Sequence, residues 1–484
     1  MACGLLNPFK RKSEKLDHLS SLTTSSISPQ HLHSLDKPVD TSSAIPDASP
    51  DALLKALDHL VTHSTSSPDI SHSTDAYALN LVELPSSFKS LLPGLQRLAA
   101  KYHIGNYVIV RSTDEVIFES MPLYARIGMH LLFHGDAQVN WLLKNKTVKD
   151  VLREQSVRQG KIYDSPESVG SIESFVKTYN INLDELLEPD INKYTSFNEF
   201  FYRQLKPGAR PVQDPEDPTR VCSMADSRLT VYPTVDMAKE FWVKSHVFNI
   251  PRLLNVPLYD FDGENLAMRF NGGSLAIFRL APADYHRFHC PVDAIIEDIV
   301  WVGFEGSSPE GSTVEPTPVP ENGNANANGN ADGKADKKAY GYHHQSPGQG
   351  TYYTVNPQAI NQDLAVLESN VRSILYLRLA SSSSNETKGP SLAVVAIGAL
   401  LVGSVVWTGG AKPKGTLIKK GEELGYFKYG GSTVIAVWEK ECGLKWDEDL
   451  VRASSGMRSK EKEKEVKGPV EMLVRVGESI GKMV

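Results

Sequence analysis

"SLAVVAIGALLVGSVVW", Ser391 to Trp407, is the stretch on which the fold turns. Its length matches the lower limit of a helix that crosses a bilayer. Gly398 and Gly403 interrupt it, and valine is frequent. Valine is stiff at χ1 and suits a pleated surface better than a helix. The alternative is a pair of buried strands with a turn near Gly403, because strands covered on both faces read as unbroken apolar runs. The strand reading is the better supported of the two.

The rest of the chain fits a globular protein. It has 484 residues, enough for one large or two ordinary domains. Hydrophobic residues make up 40% and charged residues 23%, an ordinary balance for a folded chain. Net charge is −7 with no basic bias, so a nucleic-acid partner is not expected. The four cysteines, Cys3, Cys222, Cys290 and Cys442, lie far apart with no CxxC spacing. That argues against a disulfide scaffold and for a reducing, intracellular compartment. No long apolar segment at the N-terminus suggests a secretory signal. "MACGLLNPFKRK" could carry a lipidated Cys3 beside a basic cluster, but reads more simply as a disordered tail.

Residues 1–75 are rich in Ser, Thr, His and Pro, and are expected to be mostly disordered, with a short helix near Asp51–Thr62. Residues 76–215 read as a helical region. "SLLPGLQRLAAKY" and "MPLYARIGMHLLFHG" repeat apolar residues at helical spacing. Such a face would pack on the protein or contact a membrane surface. "SIESFVKTYNINLDELL" opens with Ser171 and Ser174, a soft capping signal. "FNEFFYRQLKPGARPV" closes this part, with Pro207, Gly208 and Pro211 marking a boundary. Residues 216–484 then read as strands: "RLTVYPTV", "LAMRF", "SLAIFRL" and "AIIEDIVWVGF". The expected class is α+β, a helical region followed by a β-rich, sandwich- or barrel-like core. Residues 305–350, containing "ENGNANANGNADGKADKK", are expected to be a disordered insert. "RSKEKEKEVK" is a solvated charge run.

Three stretches could carry chemistry. "APADYHRFHCP", Ala281 to Pro291, holds His286 and His289 at i, i+3. In a strand they would face opposite ways; in a turn they could converge. A zinc site is disfavoured, since no second ligand pair has recognisable spacing. "CSMADSRLTVY" holds Asp226, a turn or cap aspartate on its own, or one that orients a histidine. "YFKYGGSTVIAVWEK", Tyr426 to Lys440, reads as a hairpin whose turn carries Gly430 and Gly431. Ser432 follows directly. A serine needs a base before it can act as a nucleophile. A G-x-S-x-G hydrolase is disfavoured, because Val434 stands where the second glycine belongs.

Taken together and in this order, "FNEFFYRQLKPGARPV", "MADSRLTVY", "APADYHRFHCPV", "YYTVNPQAI", "LAVVAIGALLVGSVVW" and "GEELGYFKYGGSTVI" resemble the phosphatidylserine decarboxylases. The resemblance covers roughly Ile172 to Val484, apart from the two polar inserts. It implies a proenzyme that cuts itself at Gly431–Ser432 into residues 1–431 (beta chain) and 432–484 (alpha chain). Ser432 would become a covalent pyruvoyl group, with no metal and no diffusible cofactor. By the same resemblance His289 is the base that activates Ser432, Asp226 orients His289, and His286 serves the substrate carboxylate. The implied reaction converts phosphatidylserine to phosphatidylethanolamine and CO₂ through a pyruvoyl Schiff base. Its electron sink works much as pyridoxal phosphate does. Relatives on the same scaffold decarboxylate free aromatic amino acids, which is the alternative substrate class. The implied partners are a phospholipid surface, the two halves of the cut chain held together, and a second copy as a homodimer. The implied location is peripheral, on the cytoplasmic face of an endomembrane, rather than mitochondrial. Met224, where proline is common, and Ala294, where glycine is frequent, depart from the family pattern beside the reactive groups.

Overall fold

The computed structural model describes residues 105–120, 160–241, 250–255, 269–303, 366–380, 389–398, 405–428, 432–456 and 469–484, and two-residue strands at 312–313, 318–319 and 339–340. The expected disordered N-terminus, the Asp51–Thr62 helix and the two helical repeats before residue 160 lie outside these residues, as does most of the Gly/Asn-rich insert.

The strands in chain order are β1 (Gly105–Val110), β2 (Glu115–Ser120), β3 (Arg220–Cys222), β4 (Ser227–Tyr232), β5 (Ser274–Leu280), β6 (Arg287–His289) and β7 (Ala294–Val302). Three short ones follow, β8 (Ser312–Thr313), β9 (Pro318–Val319) and β10 (Ala339–Tyr340). Then come β11 (Arg372–Leu379), β12 (Ser391–Gly398), β13 (Val405–Trp407), β14 (Leu417–Ile418), β15 (Glu423–Phe427), β16 (Ser432–Trp438), β17 (Leu444–Trp446), β18 (Glu471–Val474) and β19 (Ser479–Met483). The main sheet runs β14-β7-β11-β12-β16-β5-β4-β18-β1-β2, with β8 on β7. Two three-stranded sheets, β13-β15-β6 and β17-β19-β3, accompany it.

Burial explains the order. Every residue of β4, β12 and β16 is buried, so these apolar runs occupy the middle of the sheet. β7, with "AIIEDIVWV", alternates buried and half-buried positions nearer one end, as a strand with one covered face must. Each fully buried Val, Leu or Ile contributes about 1.5–3 kcal/mol. The Ser391–Trp407 stretch is therefore two strands, β12 in the main sheet and β13 in a smaller one. Among the described residues no helix is long and apolar enough to cross a membrane.

Three expectations are corrected. Tyr426–Lys440 is not a hairpin: β15 pairs with β13 and β6, while β16 pairs with β12 and β5. β16 has a partner on each side, so no edge is left for β15. The region before residue 204 is not wholly helical either. "GNYVIV" and "EVIFES" form the β1–β2 hairpin, and β1 lies parallel to β18. In "LAMRF", Arg269 ends a helical turn, and Leu266 to Met268 lie outside the described residues.

The helical expectation holds for Ile172–Tyr179 and Phe197–Phe201. The first ends on left-handed Asn180, φ 49°. Ser171 does not cap it by its side chain, and the Ser174 hydroxyl donates to the Ser171 carbonyl instead. The second is capped by Ser196, whose Oγ accepts from Glu199 N at 3.2 Å, while Glu199 accepts from Thr195 N at 2.6 Å. Its Phe197, Phe200 and Phe201 pack with Phe175, Ile172 and Leu186.

Trp407 ties the β13-β15-β6 sheet to the main one. It is fully buried, its indole N–H donates to Ser373 Oγ at 2.8 Å, and its ring meets Phe288 edge-on at 5.3 Å. Gly425 lets β15 approach: a Cβ there would sit 2.3 Å from the Val406 carbonyl oxygen and 2.9 Å from the Phe288 ring. Trp407→Ala should lower stability by about 3–5 kcal/mol in urea unfolding. A loss below about 1 kcal/mol would show that the two sheets do not depend on this contact.

Candidate active site

Ser432 is the first residue of β16, opposite Leu280 of β5 on one side and Gly398 of β12 on the other. It is fully buried. Gly431 lies outside the described residues.

Beyond Leu280 the chain folds into a closed turn. Asp284 N donates to the Ala281 carbonyl at 2.9 Å, and Ala281 N donates to the Asp284 carboxylate at 2.6 Å. The turn delivers Tyr285 and His286 to the start of β6. Phe427 N donates to the His286 carbonyl at 3.0 Å, which fixes the backbone there.

The His286 ring is fully buried. Its Nε2 lies 2.9 Å from the Ala281 carbonyl oxygen. A carbonyl only accepts, so Nε2 carries the hydrogen. Burial, opposed by that hydrogen bond and assisted by the charges of Arg203 and Arg228, pulls the imidazole down to about 3, so it is neutral. Nδ1 then presents a lone pair, and Ser432 Oγ lies 3.0 Å from it. The hydroxyl therefore donates to the imidazole, as a nucleophile facing its base requires. Phe201 lies against the same ring, centroids 4.0 Å apart.

His289 faces another way, as strand alternation dictates. Its Nδ1 donates to the Gly421 carbonyl at 2.9 Å, and the Tyr285 hydroxyl donates to Nε2 at 3.2 Å. Burial lowers its pKa, while the charges of Glu423 and Asp226 favour its protonated form. Asp226 is held by Arg210, whose Nε reaches both carboxylate oxygens at 3.0 and 2.9 Å and whose Nη2 reaches Oδ2 at 2.7 Å. Val476 N donates to the same carboxylate at 2.9 Å. Arg210 also binds Glu185 at 2.9 Å.

The structure thus joins Ser432 to His286, not to His289. The expected Asp226–His289 hydrogen bond is absent among the described residues. Both nitrogens of His289 have other partners, and a guanidinium fork fits a carboxylate better than one imidazole does. Asp226 reaches His289 only through its charge. The Cys290 thiol donates to the Val292 carbonyl, and burial pushes it up to about 12.

Sequence reasoning missed several side chains here. Arg203 and Asp284 sit inside motifs that had been singled out, but nothing local marks them. Arg287 donates from Nη1 to Glu423 at 2.7 Å and from Nε to the Tyr202 carbonyl at 2.9 Å. Its guanidinium lies 4.9 Å from the Tyr426 ring, which stacks on Tyr202. This cluster joins β6, β15 and the end of the Phe197–Phe201 helix, the three elements around His286.

Comparison with known proteins bears on the same segments. The family model "Phosphatidylserine decarboxylase" matches residues 197–317 and 333–482, more than half of the chain, and its gap falls in the Gly/Asn-rich stretch. "Phosphatidylserine decarboxylase proenzyme 3" of Schizosaccharomyces pombe is 36% identical over 77% of this chain, and this chain covers 30% of its length. "Phosphatidylserine decarboxylase proenzyme 2" of Oryza sativa subsp. japonica is 34% identical over 76% of this chain and 48% of its own. The "Phosphatidylserine decarboxylase proenzyme" of Fusobacterium nucleatum is 33% identical over 58% of this chain and 72% of its own. The chain spans less than half the length of the fungal and plant relatives and most of the length of the bacterial one. With all six motif segments inside the matched residues, the chain belongs to the phosphatidylserine decarboxylase family.

Proposed function

We propose that this protein is a self-cleaving proenzyme that decarboxylates phosphatidylserine to phosphatidylethanolamine and CO₂. The observation that carries the reading is the hydroxyl of Ser432 donating to a buried, neutral His286 at 3.0 Å. The relatives' printed names supply the substrate.

The cleavage follows from the chain's own groups. His286 Nδ1 accepts the Ser432 hydroxyl proton as Oγ attacks the Gly431 carbonyl. The peptide C–N bond breaks, an ester C–O bond forms, and the amine is freed with a proton. Loss of the Ser432 Cα proton then expels the Gly431 carboxylate and leaves dehydroalanine. Water replaces its nitrogen, ammonia departs, and a pyruvoyl group remains on the new N-terminus. A serine at a strand end against a neutral base fits that origin. The pyruvoyl group supplies a carbonyl for the substrate amine and an electron sink when CO₂ leaves. His286, beside it, is the residue placed to hold or return a proton, and His289 with Tyr285 forms a second proton-bearing pair. The small chain stays bound because its strands are interleaved with those of the large one. A phospholipid substrate places the enzyme at a membrane surface, and we assign it to the cytoplasmic face of an endomembrane.

Intact-mass measurement under denaturing conditions should find two chains split after Gly431, the smaller lighter by one ammonia than a peptide beginning at Ser432. Ser432→Ala should give one uncut chain. His286→Ala should slow cleavage by roughly 100-fold or more, and His289→Ala by much less. The reverse order would return the base role to His289. Cut protein should release CO₂ from phosphatidylserine vesicles and none from free tryptophan or tyrosine; activity only on the amino acids would remove the lipid substrate.

The buried imidazole also predicts a pH dependence of folding. His286 takes a proton near 6.5 in an unfolded chain and near 3 when folded. The unfolded state is therefore protonated first. The stabilisation from keeping His286 neutral is full above about 6.5 and is lost as pH falls toward 3. Uncut Ser432→Ala protein should lose stability over that window, and adding His286→Gln should flatten part of the loss in urea midpoints taken at each pH.

A further inference from the structure

The β1–β2 hairpin comes from residues that the family model does not match. It is nevertheless part of the sheet that carries Ser432. β1 runs parallel to β18, with Val108, Ile109 and Val110 opposite Glu471, Met472 and Leu473. Val108 and Ile109 are buried, and Ile109 shares one apolar core with Met472, Val474 and Ile480. Without β1, one side of β18 would be an unpaired edge.

The hairpin turn carries a second contact. Thr113 N and Asp114 N both donate to the Val110 carbonyl, at 3.1 and 2.7 Å, and Asp114 closes the turn with a left-handed φ of 56°. Arg111 leaves the start of that turn. Its Nε donates to Asp449 at 2.7 Å, its Nη2 to Asp447 and Asp449 at 2.9 and 3.1 Å, and its Nη1 to the Ser479 carbonyl. The Arg111 side chain is 18% exposed, so water and salt screen this fork less than a surface pair. Asp447 caps the helix Glu448–Ser455, Asp449 lies in its first turn, and Ser479 begins β19. Every one of these partners lies after residue 431.

We infer that the β1–β2 hairpin is a clasp for the small chain: once the chain is cut, it binds residues 447–449, 471–473 and 479 of a separate polypeptide, with Arg111 as the hook. Before the cut the backbone tethers these residues, so a contact that opens closes again at high effective concentration. After it, non-covalent contacts alone hold them. β16 is gripped by β12 and β5, β18 by β4 and β19 by β3. On the far side of β18 the partner is β1, and Arg111 links the helix and β19 to the same turn. The inference rests on the self-cleavage reading above, and on neither histidine's part in it.

Arg111→Ala removes the hook and leaves Ser432 and its neighbours untouched. Self-cleavage, followed by intact mass, should keep its wild-type rate. In the cut protein, amide exchange across Glu471–Leu473 should speed roughly tenfold or more, while the amides of Val434–Val437 keep their protection. Large chain held on a resin by a tag and washed in graded urea should lose the small chain at a lower urea concentration than wild type. Arg111→Lys, which keeps the charge but not the fork, should fall between the two. Wild-type exchange in β18 with wild-type retention of the small chain would overturn the clasp. Equal loss of protection in β16 and β18 would show a general loss of stability and overturn it as well. Uncut Ser432→Ala protein carries the same hairpin, so exchange in β18 should respond to Arg111→Ala there too, and only the cut protein should release a chain. A wild-type protein that is never cut would sink the self-cleavage reading, with the hairpin contact still decided by exchange.

Discussion

The structure depends on one strand having no free edge. β16 is paired along its full length, from Ser432 to Trp438, with β12 on one side and β5 on the other. Ser432 therefore cannot drift, because the ladder that holds Val434 and Ala436 also fixes the residue that begins it. The same pairing explains why the preceding strand leaves the sheet. β15 must cross to the smaller sheet, where it meets β6 and positions the backbone of His286 through Phe427. Sheet pairing thus brings Ser432 and the His286 backbone to neighbouring places before any side chain is considered.

The second constraint is water exclusion. An imidazole in solution would spend part of its time protonated at neutral pH. Here burial makes the charged form unfavourable, and the Ala281 carbonyl selects the tautomer. Exclusion of water and a single carbonyl contact leave the ring neutral with Nδ1 facing Ser432. The Asp226–Arg210–Glu185 chain does different work. It ties residues 185, 210 and 226 together beside His289 and, through Val476, reaches the C-terminal strands.

How much of this could be read in the sequence follows from the range of each interaction. β12 was legible because glycine and valine within Ser391–Trp407 speak for strands over short distances. Ser432 and His286 were legible as residue types in a recognisable order. β1 was not, since its place depends on parallel pairing with β18, more than 350 residues away. The β1–β2 alternation in "NYVIV" and "EVIF" was present but lay between strongly helical patterns. The hairpin at Gly430–Gly431 failed because local turn chemistry says nothing about which strands already occupy both edges of β16. That Ser432 meets His286 rather than His289 was hidden for a related reason. Residues three apart flank a strand, and only the partner sheet decides which one meets the serine. Arg203 left no mark at all, because its partners are carbonyls, which every residue has.

The topology also bears on how the chain would hold together if the proposed cut at Gly431–Ser432 is made. The segment after residue 431 supplies β16, β17, β18 and β19. β16 lies between β12 and β5, β18 between β4 and β1, and β19 between β17 and β3. Every one of these ladders except β17–β19 joins the two sides of the cut, and none of them includes the Gly431–Ser432 bond. Ion pairs cross as well: Arg279 Nε binds Glu471 at 2.8 Å, Arg111 binds Asp449 and Asp447 at 2.7 and 2.9 Å, and Arg269 binds Glu439 at 2.6 Å. Breaking that one peptide bond would leave the ladders from Thr433 to Trp438 in place. It also frees the new terminus from the backbone before it while leaving it anchored by the strand that follows. A group generated there would take the place of Ser432 at the start of a strand paired on both sides.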